Sequence, residues 1–121
     1  MEKCKTIKID DVEYVRKDES KEAESFDGMQ YVIIRSKSAG VFAGYLKEKN
    51  GTEVVLKKSR RIWYWDGAAS LSQLAVDGTS KPTKCKFPCE VESMIITDVL
   101  EIIPCTQKAK DGIGKVSVWK E

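Results

Sequence analysis

Histidine is missing altogether from these 121 residues, and proline occurs only three times. The first absence removes the side chain that most often serves as a general base near neutral pH, and leaves any zinc site to thiolates and carboxylates. No apolar run approaches the roughly 18 residues that suggest a membrane helix, so no membrane segment is expected. The sequence also lacks a G-x-S-x-G elbow, a P-loop, a G-x-G-x-x-G turn and any carboxylate cluster with metal-ligand spacing. The reading is therefore of a protein that is not an enzyme and carries no cofactor. Charge of one sign is lacking too, since 21 basic and 19 acidic residues leave a net charge of +2. That argues against a duplex-DNA binder, which shows a strongly basic footprint. The opening MEKCKTIKIDD has no continuous apolar core of the kind a secretory signal carries, so the protein is expected to stay in the cytoplasm.

What is present is a soluble, globular composition, 41% hydrophobic and 33% charged, in a length suited to one core. Cysteines stand at positions 4, 85, 89 and 105. Cys85 and Cys89 form one knuckle, and Cys4 and Cys105 are isolated; a zinc site would need all of them to converge. Reduced, metal-free thiols are the preferred reading over zinc or a disulfide.

Residues 1–28 read as an N-terminal piece, with strands at 5–10 and 12–16 and an acidic connector ending at Asp27-Gly28. Residues 29–121 read as one core domain. Its β-branched and aromatic runs at 31–35, 41–46, 52–56 and 60–65 predict four strands joined through Ser38-Ala39-Gly40, Asn50-Gly51 and Lys58-Ser59. Asp66 is a plausible N-cap, and Ala68, Leu71, Leu74 and Ala75 recur at helical spacing up to a stop at Gly78. Residues 79–88 read as a surface loop, 90–96 and 99–103 as a strand pair over Thr97-Asp98, 106–111 as a helical turn and 115–119 as a closing strand. The expected class is α+β, a bent antiparallel sheet with one main helix after the fourth core strand. A small open barrel is the preferred architecture, an SH3-like one being the form considered. Gly44, inside a strand, marks a bulge or a close backbone approach.

The stretch from Arg60 to Ala75, RRIWYWDGAASLSQLA, carries the functional expectation. Strand alternation puts Arg61, Trp63 and Trp65 on one face and Arg60, Ile62 and Tyr64 on the other. If Ile62 and Tyr64 point inward, the first set is an exposed cationic and indole surface suited to stacking a base and pairing a phosphate. If Trp63 and Trp65 are core, as aromatics usually are, Arg61 merely fringes them. The candidate ligand-binding residues are Arg60, Arg61, Trp63, Trp65, Ser70 and Ser72. Asp66 at the helix start would already occupy its positive end, so arginines and serine hydroxyls are preferred to the bare dipole.

The words SAGVFAGYL at 38–46, RRIWYWDGAASLSQLA at 60–75 and EIIPCT at 101–106 make the chain resemble a family of small bacteriophage and prophage proteins of unknown function. The resemblance implies no assigned activity or site. It favours a protein of the host bacterial cytoplasm that sequesters a nucleotide-derived signalling molecule to counter host defence. The alternatives are a protein-binding inhibitor of a host defence protein and a small Sm-like RNA-binding barrel. Exposed strand edges and the aromatic stretch lead to an expected homo-oligomer.

Overall fold

The β-branched and aromatic runs pair into one five-stranded antiparallel sheet in a computed structural model that describes residues 21–121. The strands are β1 (Gln30–Ser36), β2 (Gly40–Asn50), β3 (Glu53–Arg61), β4 (Glu90–Ile96) and β5 (Val99–Pro104). Helix α1 (Leu71–Asp77) lies between β3 and β4, and α2 (Gln107–Gly114) follows β5. Their order across the sheet is β4-β3-β2-β1-β5. The strands expected at 5–10 and 12–16, and Cys4, lie outside the described residues.

Several expectations are corrected. The runs at 52–56 and 60–65 are not two strands, because β3 passes through Lys58-Ser59 without a break. Those two residues oppose Gly44 in a bulge, with Lys58 at φ 51°. Gly44 fits both readings made of it: a Cβ there would lie 3.0 Å from the Lys57 carbonyl oxygen and 3.1 Å from Ser59 Cα. The expected turn Asn50-Gly51 is displaced by one position, because Asn50 pairs with Glu53 and leaves Gly51-Thr52 as the turn. With the third and fourth runs fused, α1 follows the third described strand, and the longer helix, α2, follows the fifth. The expected strand at 115–119 is reduced to a single bridge between Val118 and Phe87. Phe87, placed by sequence in a surface loop, is wholly buried.

The largest correction concerns Thr97-Asp98. These residues do not close a hairpin: β4 pairs with β3, and β5 pairs with β1. The two edges of the sheet are thus joined by a two-residue link, which forces the sheet to curl. Hydrogen bonds hold the link in place. Ser36 Oγ donates to the Thr97 carbonyl at 2.7 Å, Lys37 N to the Asp98 carbonyl at 2.9 Å and Val99 N to the Thr52 carbonyl at 2.9 Å.

Alternation along the curled strands makes two cores. Ile33, Ala43 and Ile62 pack with Leu74 and Ala75 of α1, Ala109 and Ile113 of α2, Phe87 and Val116. Full burial of one such side chain, Leu74 for example, contributes about 1.5–3 kcal/mol. On the opposite face Val32, Ile34, Phe42, Val54, Leu56 and Ile96 cluster with Leu46, Met94, Val99 and Ile102. Among the described residues that second core is built of strand residues alone.

The helices are capped by local chemistry. Ser70 accepts from Gln73 N at the start of α1, and Gly78, at φ 75°, returns its N–H to the Leu74 carbonyl. Thr106 does for α2 what Ser70 does for α1, accepting from Ala109 N at 3.1 Å. Ahead of β1, Ala23 is buried in the first core and donates its N–H to the Cys105 carbonyl at 3.0 Å.

Candidate functional site

Arg60 and Arg61 end β3 and point opposite ways. Arg60 is buried, and its guanidinium is spent on four carbonyls: Pro88 at 2.9 Å, Ile113 at 2.9 Å, Phe87 at 3.2 Å and Val116 at 2.7 Å. Burial lowers its pKa from the ordinary value, while Tyr31, Glu90 and Cys89 pull it back up. With four of five N–H donors satisfied, Arg60 ties β3 to the end of α2 and the tail beyond. This side chain is a structural tie and, unlike Arg61, does not line the cavity that holds Trp63 and Trp65.

Arg61 keeps most of its donors. Nη1 donates to the Ala39 carbonyl at 2.9 Å, and the guanidinium lies 4.5 Å from the centre of the Phe42 ring. Arg61, Trp63 and Trp65 line one cavity of about 200 Å³ together with Ala39, Gly40, Val41 and Ile62. The three residues expected on one face thus share a cavity, and so does Ile62, expected on the other. Of the two indoles, Trp63 is 62% exposed, whereas Trp65 packs against the first core. Both readings of the tryptophans thus apply, one to each ring.

Regular pairing stops at Arg61, and beyond it Tyr64 makes only an isolated bridge to Lys86. Alternation fails there: Ile62 is buried, yet Tyr64, assigned to the same face, is half exposed. Ser70 is committed to capping α1 through its hydroxyl, and both Ser70 and Ser72 are exposed and outside the cavity lining. Asp66, expected to cap the helix, instead accepts from Gly67 N at 2.7 Å within a turn that the Thr79 hydroxyl and Ser80 N bind. α1 spans seven residues only, so its dipole contributes little beyond one turn.

Sequence reasoning missed two members of the surface. Trp119 stacks on Trp63 with ring centres 6.2 Å apart and planes 12° from parallel. Lys86 holds its ammonium 5.6 Å from the Trp119 ring and 6.0 Å from Tyr64. One segment assembles them: Lys86 N donates to the Tyr64 carbonyl at 2.8 Å, and the Phe87 carbonyl accepts from Trp119 N at 3.0 Å. The one legible hint was Trp119 itself, a large indole in a short polar tail.

No group of three or more metal-ligating side chains occurs among the described residues. Cys85, Cys89 and Cys105 carry free thiols. Burial pushes the Cys105 thiol up to about 12, which leaves it protonated and inert at neutral pH.

Compared with known protein families, residues 29–113 match the one described as Domain of unknown function (DUF6948). The chain belongs to that family. The DUF6948 region spans β1 through most of α2, and so includes the Arg61 cavity but not Trp119. No curated protein and no solved structure matches the chain. Nothing in these comparisons indicates catalysis. Among the described residues no helix is long and apolar enough to cross a membrane.

Proposed function

We propose that the protein is a non-enzymatic binding module for a planar, negatively charged, nucleotide-like molecule. The carrying observation is the convergence of Arg61, Trp63 and Trp65 on one cavity of about 200 Å³. That volume falls below the roughly 300–1,000 Å³ of sites that enclose a drug-sized ligand, so it suits a base-sized ring rather than a whole nucleotide. The ring stacks on Trp63, and the phosphate stays at the rim, where Arg61 supplies positive charge. Stacking is worth about 1–3 kcal/mol per base, and a charge-assisted bond from Arg61 adds to it. The likeness to small bacteriophage and prophage proteins supports a role in sequestering a nucleotide-derived signal in the host cytoplasm. A symmetric oligomer would cover Ile95 and Leu100, apolar residues exposed on the edge strands β4 and β5.

Calorimetry tests this with mononucleotides, cyclic dinucleotides and ADP-ribose against wild type, Arg61→Ala and Trp63→Ala. The expected result is saturable binding weakened about tenfold or more by either substitution. Absence of binding across the panel overturns it and leaves a host defence protein as the partner. Light scattering on the same samples decides the subunit count.

A second reading is favoured by the strand order. The reading of the fold as a small SH3-like open barrel is supported by the β4-β3-β2-β1-β5 order, the Thr97-Asp98 link between the two edges and a core drawn from all five strands. Sm-like barrels of that kind bind single-stranded RNA, and exposed Trp63, Tyr64 and Trp119 beside Lys86 would serve it. Titration with short oligoribonucleotides separates this reading from the mononucleotide one.

A further inference from the structure

A second cavity, of about 440 Å³, is lined by Tyr31, Tyr45, Lys58, Glu90, Lys110, Asp111, Gly114 and Lys115. Its walls are β1, β2, β3, β4 and α2, so it is framed by regular structure rather than by loop tips. Arg60 holds the frame closed by binding the Ile113 carbonyl at 2.9 Å and the Val116 carbonyl at 2.7 Å, on either side of Gly114 and Lys115.

Two features single it out. Tyr31 and Tyr45 are each only 8% exposed, and neither hydroxyl has a hydrogen-bond partner among the described residues. Their rings meet edge to face at 5.1 Å. The Tyr31 phenol is desolvated, and a desolvated hydroxyl is normally satisfied by protein, water or ligand. The second feature is Lys110, whose ammonium lies 6.0 Å from the Tyr31 ring and 5.8 Å from the Tyr45 ring. No carboxylate of the described residues pairs with Lys110 or Lys115; the recorded pairs are Arg35 with Glu101, Lys58 with Glu92 and Lys108 with Asp77. Asp111 is occupied, accepting from Gln107 Nε2 at 2.9 Å. Burial raises the Tyr31 phenol above its ordinary value, which keeps it a donor at neutral pH.

We infer that this cavity is an anion site for a small phosphate-bearing molecule, its phosphoryl oxygens accepting from the Tyr31 and Tyr45 hydroxyls and pairing with Lys110 and Lys115. Phenolic donors and flexible ammonium groups suit the three oxygens of a phosphomonoester, where no planar guanidinium is free to favour a carboxylate. Glu90, which lines the cavity, is an acceptor for a hydroxyl on the rest of the ligand. This site stands apart from the Arg61 cavity, with which it shares no lining residue.

The test is an amide chemical-shift titration of the full chain with inorganic phosphate and with ribose 5-phosphate, at ionic strength held constant with chloride. Saturable shifts centred on Tyr31, Lys110 and Gly114 are expected, with affinity reduced about fivefold or more in Tyr31→Phe and in Lys110→Ala. Arg61→Ala should leave them unchanged, which separates this site from the nucleotide reading. Tighter binding of ribose 5-phosphate than of phosphate supports a role for Glu90; equal binding supports phosphate alone as the recognised group. Lys110→Ala, a half-buried surface change, keeps the test decisive should Tyr31→Phe fold poorly. Shifts that never saturate, or that persist unaltered in both variants, overturn the inference.

Discussion

The two sides of the end of β3 carry the same side chain to opposite outcomes. On one side Arg60 is enclosed by the end of α2, the tail and the segment before β4, each of which turns a carbonyl toward it. On the other, Arg61 lies over Phe42 with one bond to Ala39 and opens onto a cavity shared with two indoles. A buried guanidinium with its donors satisfied fastens separate segments together, whereas a half-buried one with donors to spare is available to a ligand. The difference lies in how many carbonyls surround each arginine, not in the arginines.

Exchange of either arginine for alanine should therefore break the comparison most sharply. Arg60→Ala removes the guanidinium from three buried carbonyls and one part-buried carbonyl and is expected to destabilise by about 3 kcal/mol or more in denaturant unfolding, while Arg61→Ala costs about 1 kcal/mol or less. Near-equal losses would erase the distinction between tie and ligand donor.

Gly67 sharpens the same contrast on the loop between the cavity and α1. Its φ of 86° and the closeness of Lys81 N and Thr79 Oγ1, both 2.5 Å from where a Cβ would sit, leave no space for alanine. Gly67→Ala is expected to cost about 2 kcal/mol or more by thermal unfolding, and Gly44→Ala less, since its tightest contact is 3.0 Å.

A pH effect follows from the buried side. Burial raises Cys105 to about 12 in the folded chain from an ordinary 9.0, so the thiol is neutral when folded and ionises first when unfolded. Its contribution is complete below pH 9 and is lost progressively as the pH rises through about 12. Unfolding midpoints measured across that window should fall with pH, and Cys105→Ala should flatten the fall. Burial of Tyr31, also raised, acts in the same direction.

The smallest stability effect belongs to the exposed surface. Trp63→Ala removes a ring that is 62% exposed and an offset contact with Trp119, worth about 0.5–1.5 kcal/mol, so unfolding should shift little. Loss of nucleotide binding without loss of stability would confirm that side as functional; a large loss of stability would make it a second structural tie.

Much of the sheet was legible because strands announce themselves by β-branched and aromatic runs, and because Gly44 and Gly78 act through local backbone geometry. The grouping of Arg61, Trp63 and Trp65 was legible only in part, since alternation holds to the end of β3 at Arg61 and fails beyond it, where Tyr64 is half exposed and Trp65 packs on the first core. The fusion of two runs into β3 was not, because a bulge at Lys58-Ser59 and a break look alike in sequence. Neither was the α1 cap: Asp66 and Ser70 are both good capping residues, and only the turn that ties Asp66-Gly67 to Thr79 and Ser80 decides between them.

What the sequence determined by itself was local and periodic: an α+β chain, strand runs, two faces at the end of β3, and no histidine chemistry. What only the tertiary structure decided was non-local. It placed β4 and β5 on opposite edges, brought Trp119 and Lys86 to Trp63, turned Arg60 into a tie and put the Tyr31 and Tyr45 rings beside Lys110. The physical reason is that alternation specifies which side chains share a face but carries no information about what covers that face. Segments far apart in the chain do the covering, and their carbonyls, rings and charges arrive only when the sheet curls and α2 closes over it.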